Sequence, residues 1–211
     1  MRSYFFVTIL LLGVLFANAV PAKPEPDVGK VTDNTFRSDF FGFQCSFPQG
    51  WSTLNDDVRR ENNRKRHQAS VKEAEAKAPR DTPNRTTTVQ VFWIYDLLIA
   101  TPGSLAANAK PPLPHVHIWA MERFGLFDKA GDDAKQIANL ATVKVLRASH
   151  EETISGHRFV RTDFIHHDDN FEALFETVSG KYLLHFEFRG RNEQEINELA
   201  KTMESLKFDS K

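Results

Sequence analysis

The feature that most constrains this chain is a run of four apolar-rich segments near its end: "VKVLRAS", "RFVRTDFI", "FEALFETV" and "KYLLHFEF", joined by short polar turns. Side chains alternate across such segments with period two, and connections this short allow only antiparallel neighbours. The chain must therefore contain an antiparallel meander, and the rest of the fold has to cover its faces. "NEQEINELAKTMESL" follows, with Asn192 placed to cap a helix and Glu195 placed to close a capping box. Ile196, Leu199, Ala200, Met203 and Leu206 form the buried stripe of that helix.

Upstream, "HVHIWAMERF" at 115–124 reads as another strand, with His115, His117, Trp119 and Met121 on one face. Residues 85–102, "RTTTVQVFWIYDLLIATP", read as a long central strand. Between 129 and 142, Ala130, Ala134, Ile137, Ala138 and Ala141 recur at helical spacing. Residues 36–54 give two or three short strands punctuated by Gly42 and Pro48-Gln49-Gly50. Residues 55–79 form a helix almost empty of large apolar side chains, with Val58, Val71 and alanines as its thin buried stripe. Strands covered by helices give an α+β fold, an α/β/α sandwich with a mainly antiparallel central sheet flanked by helices.

Compartment is read from the first residues. Arg2 precedes an apolar run from Tyr4 to Phe16 and then Ala17-Asn18-Ala19, the pattern of a secretory signal peptide. Residues 1–19 are thus expected to be removed, residues 20–34 to form a proline-containing tether, and residues 35–208 to fold as one domain. The mature chain would be secreted or periplasmic. No later stretch is apolar and long enough to span a membrane.

Cys45 is the single cysteine, so no intramolecular disulfide is available and the core must hold the fold. In "FGFQCSFPQGW" it shares a strand face with Phe43 and Phe47, which predicts a buried, inert thiol. A net charge of −1 on the whole chain argues against a nucleic-acid binder driven by phosphate neutralisation.

The segments "TFRSDFFGFQCSFPQGW", "FGLFDKAGDDAKQIANL", "SGHRFVRTDF" and "ALFETVSGKYLLHFEFRGRNEQEINELAKTMESLKF", in that order, resemble the exported bacterial proteins of the PsbP-like superfamily. The resemblance covers residues 35–208. It implies an antiparallel sheet sandwiched between helices, as in the photosystem protein PsbP and a yeast Ran-binding protein. It also implies an accessory or interaction role without a shared active site, and it carries no residue roles onto this sequence.

The sequence has no G-x-S-x-G elbow, H-E-x-x-H helix, P-loop or C-x-x-C pair. Chemistry is instead sought in the meander. With Asp168-Asp169-Asn170 as one loop, His166 faces Glu172; with Ser179-Gly180 as a two-residue turn, Leu174 faces His185 and Glu172 faces Glu187. His166, Glu172, His185 and Glu187 then share one face of three strands, and opposed Cβ atoms lie about 5 Å apart. Two imidazoles and two carboxylates suit zinc or another borderline divalent metal. An ordinary cross-strand His–Glu pair is the competing reading. His115 and His117 form a second metal candidate.

Arg60, Arg64 and His67 share a helix face at i, i+4, i+7, a basic stripe that suits an acidic partner. Three functions follow. The leading one is a non-enzymatic module without a cofactor that binds another envelope or secreted protein. The second is a metal-binding protein or metal-dependent hydrolase. The third is a small-ligand binder using Trp93, Tyr95 and Trp119.

Overall fold

A computed structural model describes residues 26–77, 93–105 and 113–209. The expected signal peptide 1–19, residues 20–25 of the expected tether and residues 85–92 of the expected long strand lie outside the described residues. The elements run β1 (Lys30–Thr32), β2 (Thr35–Ser38), β3 (Phe43–Ser46), β4 (Ser52–Thr53), α1 (Asp56–Lys77), β5 (Ile94–Thr101) and β6 (His115–Glu122). They continue with α2 (Asp132–Ala138), β7 (Val143–Ile154), β8 (His157–His166), β9 (Phe171–Ser179) and β10 (Tyr182–Gly190). The chain closes with α3 (Glu193–Ala200), a 3₁₀ turn (Lys201–Ser205) and β11 (Lys207–Phe208).

Seven strands form the main sheet in the order β4-β5-β6-β10-β9-β8-β7, with every neighbouring pair antiparallel. The meander read from sequence is its β7 to β10 half. A second sheet, β1-β2-β3-β11, shares with α3 the covering of one face of the main sheet. The fold is α+β, and this small sheet is its unforeseen part: the strands around Cys45 pair with one another and with β11 rather than extending the main sheet.

Alternation explains how the layers close. In β10, Leu184, Phe186 and Phe188 point to one side and meet Val116, Ile118 and Ala120 of β6, Phe36, Phe43 and Cys45 of the small sheet, and Ile196 and Leu199 of α3 in one core. Each such Phe contributes about 1.5–3 kcal/mol on leaving water. Burial pushes the Cys45 thiol up to about 12, so the inert-cysteine expectation agrees with the structure. The expected tether belongs to the fold from Val28 onward, since Val28 is buried and Lys30–Thr32 pair with β2.

α1 holds to the sheet by polar groups rather than by its valines. Arg59 is fully enclosed, 5.9 Å from the Phe36 ring centre, and paired with Asp56. Asn63 donates to the backbone carbonyl of Asp96 at 3.1 Å and accepts from its N–H at 2.9 Å, occupying the edge of β5 that short β4 leaves open. Among the described residues, no helix is long and apolar enough to cross a membrane.

Candidate functional site

The side of the main sheet opposite the core is polar yet largely enclosed. Its register is set by two hairpins. β9 and β10 close with Ser179 opposite Tyr182, so Gly180-Lys181 is the turn and Gly180, at φ 57°, takes the first central position that favours glycine in a type II′ turn. β8 and β9 turn through His167-Asp168-Asp169, with Asp169 at φ 56° and the His166 N–H donating to the Asn170 carbonyl at 2.8 Å. Both turns sit one residue away from their expected places. Each partner therefore shifts by two positions, which preserves the face and changes the neighbours.

The expected set His166, Glu172, His185 and Glu187 does share this face, but it is divided. The Nε2 of His166 lies 2.7 Å from the Oε2 of Glu172, which also receives Arg189 at 2.8 Å. Arg189 reaches Glu187 at 2.5 Å as well. This guanidinium stands between the two carboxylates and supplies the positive charge that an ion would bring. His185 pairs across the strands with Glu176 instead.

His115 and His117 are also otherwise engaged. The Nε2 of His117 is 2.9 Å from Asp96, and its Nδ1 is 3.7 Å from Glu187. Burial alone would lower the pKa of this imidazole, but the hydrogen bonds to Asp96 and Glu187 raise it to about 9. It is an imidazolium at neutral pH, with no lone pair for a metal. Burial works against the charge of Asp96 too, and His117 with Arg66 still holds that carboxyl well below its usual range. His115 lies 3.7 Å from Glu187.

Among the described residues, one group brings three potential metal ligands together: Asp133, Glu176 and His185, with their ligand atoms all within 4.8 Å of one another. The Nε2 of His185 is 3.4 Å from Glu176 Oε1 and 3.6 Å from Asp133 Oδ2. His185 is 0% exposed, and neither of its ring nitrogens makes a hydrogen bond among the described residues. Trp119 stacks on it at 3.6 Å with planes 4° apart, which fixes the ring. Glu176 is held from behind, because the N–H groups of Asp133 and Ala134 donate to its two oxygens at 3.2 and 3.3 Å. Burial, with Glu176, Glu172 and Glu187 nearby, pushes the Asp133 carboxyl up to about 6 against the opposing influence of His185.

Sequence reasoning found His185 and missed the other two. Glu176 was within reach, since reading Gly180-Lys181 as the turn places it opposite His185. Asp133 carried no signal, because its position depends on how α2 docks against Phe164 and Leu174.

The basic stripe of α1 has a different setting. Arg60 meets Asp27 at 3.3 Å, Arg64 forms two bonds of 2.8 Å to Glu61, and His67 stacks on Trp93 with ring centres 3.1 Å apart. These three residues, with Lys30, Trp93 and Tyr95, line a cleft of about 640 Å³. Trp119 is not part of it.

No family model matches the chain, and no curated protein does. Among solved structures, the chain is similar to the solution structure of cyanobacterial PsbP (CyanoP) from Synechocystis sp. PCC 6803. The TM-score is 0.47 and the identity 8%, over 89% of this chain and 99% of that one.

Proposed function

We propose that this chain is an exported, non-enzymatic accessory protein that binds a divalent transition metal through Asp133, Glu176 and His185. The carrying observation is the enclosed imidazole of His185, without a hydrogen bond among the described residues and facing two carboxylate oxygens at 3.4 and 3.6 Å. Ligand bonds of about 2.1 Å in tetrahedral geometry place neighbouring donor atoms about 3.4 Å apart, close to the two spacings from His185 to the carboxylates. One imidazole and two carboxylates favour zinc or a similar borderline metal over soft copper(I). The backbone donors on Glu176 and the indole on His185 supply the outer support that such ligands need. Asp133 is the partly exposed member of the three, which leaves a side for an exchangeable fourth ligand. Export follows from the reading of residues 1–19 as a signal peptide.

Zinc titrated into chelator-treated protein should fill one saturable site. His185→Ala and Glu176→Gln should each weaken it by at least about tenfold, with circular dichroism confirming that the fold survives. His166→Ala should leave affinity unchanged, because its partner Glu172 is already claimed by Arg189. Absence of a saturable site, or an equal loss in His166→Ala, would overturn the proposal.

A further inference from the structure

We infer that the cleft between α1 and β5 binds a planar organic anion, independently of the metal. Two sets of residues nominated separately from the sequence, the basic stripe of α1 and the aromatic start of β5, line this one recess. Its volume of about 640 Å³ lies within the range of small-ligand sites, roughly 300–1,000 Å³. One wall is aromatic: the rings of His67, Trp93 and Tyr95 lie nearly parallel, with angles of 21° and 14° between successive planes. The rings are stacked on one another, so a flat ligand meets the open edges and outer face of the stack, in edge-to-face or offset contact.

The rim is cationic. Lys30, Arg60 and Arg64 face a single acidic lining residue, Asp27. Lys30 has no ion-pair partner among the described residues, and the 3.3 Å Arg60–Asp27 pair is solvent-accessible on both sides. An exposed pair of this kind holds weakly, about 0–1 kcal/mol, so a ligand carboxylate can displace Asp27 and take the guanidinium. Arg64 makes two bonds to Glu61 on the exposed side of α1, a pair as open to exchange as that of Arg60. Recessed rings beside a cationic rim suit an aromatic carboxylate better than the flat surface of a protein partner.

The test uses 2-naphthoate as the probe on the full exported protein, followed by isothermal titration calorimetry. One saturable site is expected. Trp93→Leu should abolish it, and Arg60→Gln should weaken it by about tenfold. The neutral analogue 2-naphthalenemethanol should bind more weakly than the carboxylate and be indifferent to Arg60→Gln. The inference fails if no saturable binding occurs, if the alcohol binds as well as the carboxylate, or if Trp93→Leu retains the site. Neither His185→Ala nor added zinc should alter naphthoate binding, which separates this site from the metal centre.

Discussion

His117 sits between Asp96 and Glu187, and its charge is held between these two carboxylates. An unfolded histidine releases its proton near pH 6.5, whereas this one holds it to about 9. The stabilisation is therefore full below about pH 6.5 and is lost as pH rises through about 9. The melting temperature of metal-free protein should fall across that window, and His117→Gln should flatten most of the slope. An unchanged slope in the variant would show that another group titrates there. Asp133 lies outside the window, since its raised value of about 6 makes its contribution fade lower, between about pH 4 and 6. At this scale the sequence was informative about type and face: Cys45, His166 and His185 lie where alternation placed them. What alternation leaves open is competition. Nothing in the spacing of His166, Glu172 and Glu187 announces that Arg189 will occupy the space among them.

At the scale of elements, the meander and both terminal-half helices were legible because their periodicities are strong, while their junctions were less so. Helix α3 begins where Asn192 accepts the Glu195 N–H at 2.9 Å, as expected, but the Glu195 carboxylate takes the Arg191 N–H at 2.6 Å rather than closing on Asn192. The two hairpins were displaced by one residue each, since Ser179-Gly180 and Gly180-Lys181 both contain the glycine and only the type II′ geometry chooses between them. α2 is shorter than its alanine pattern suggested because Gly131, at φ 88°, starts it late. That glycine also positions Asp133, the α2 member of the proposed ligand set. A Cβ there would meet Val160 Cγ1 at 3.1 Å in a backbone conformation that disfavours side chains. Gly131→Ala should cost about 1–2 kcal/mol in urea denaturation and weaken zinc binding by tilting Asp133 off the sheet. Retention of full zinc affinity would show that the start of α2 does not set the site.

For the whole molecule, one sheet separates two environments. Its apolar side is sealed by the small sheet and α3, and Phe186 lies at the centre of that core, with its ring 5.4 Å from Phe43 of the small sheet and 5.8 Å from Phe159 of β8. Phe186→Ala should destabilise by about 3–5 kcal/mol, and circular dichroism and tryptophan fluorescence should still report one common transition. Two separate transitions would mean that the small sheet folds by itself. The α+β class was readable from element order, but the second sheet was not, because short strands such as β11 pair only after the chain has returned to them. The rims of the main sheet carry a further consequence. On one side β7 breaks step with β8 twice, between Val145 and Arg147 and again before His150. On the other, Asn63 has already taken the amide and carbonyl of Asp96. Among the described residues, neither margin of the main sheet offers an incoming strand a continuous row of pairing groups, the arrangement by which edges avoid templating further strands. A margin interrupted in this way leaves side-chain chemistry on faces and in recesses, rather than backbone templating, as the means of recognition this sheet offers.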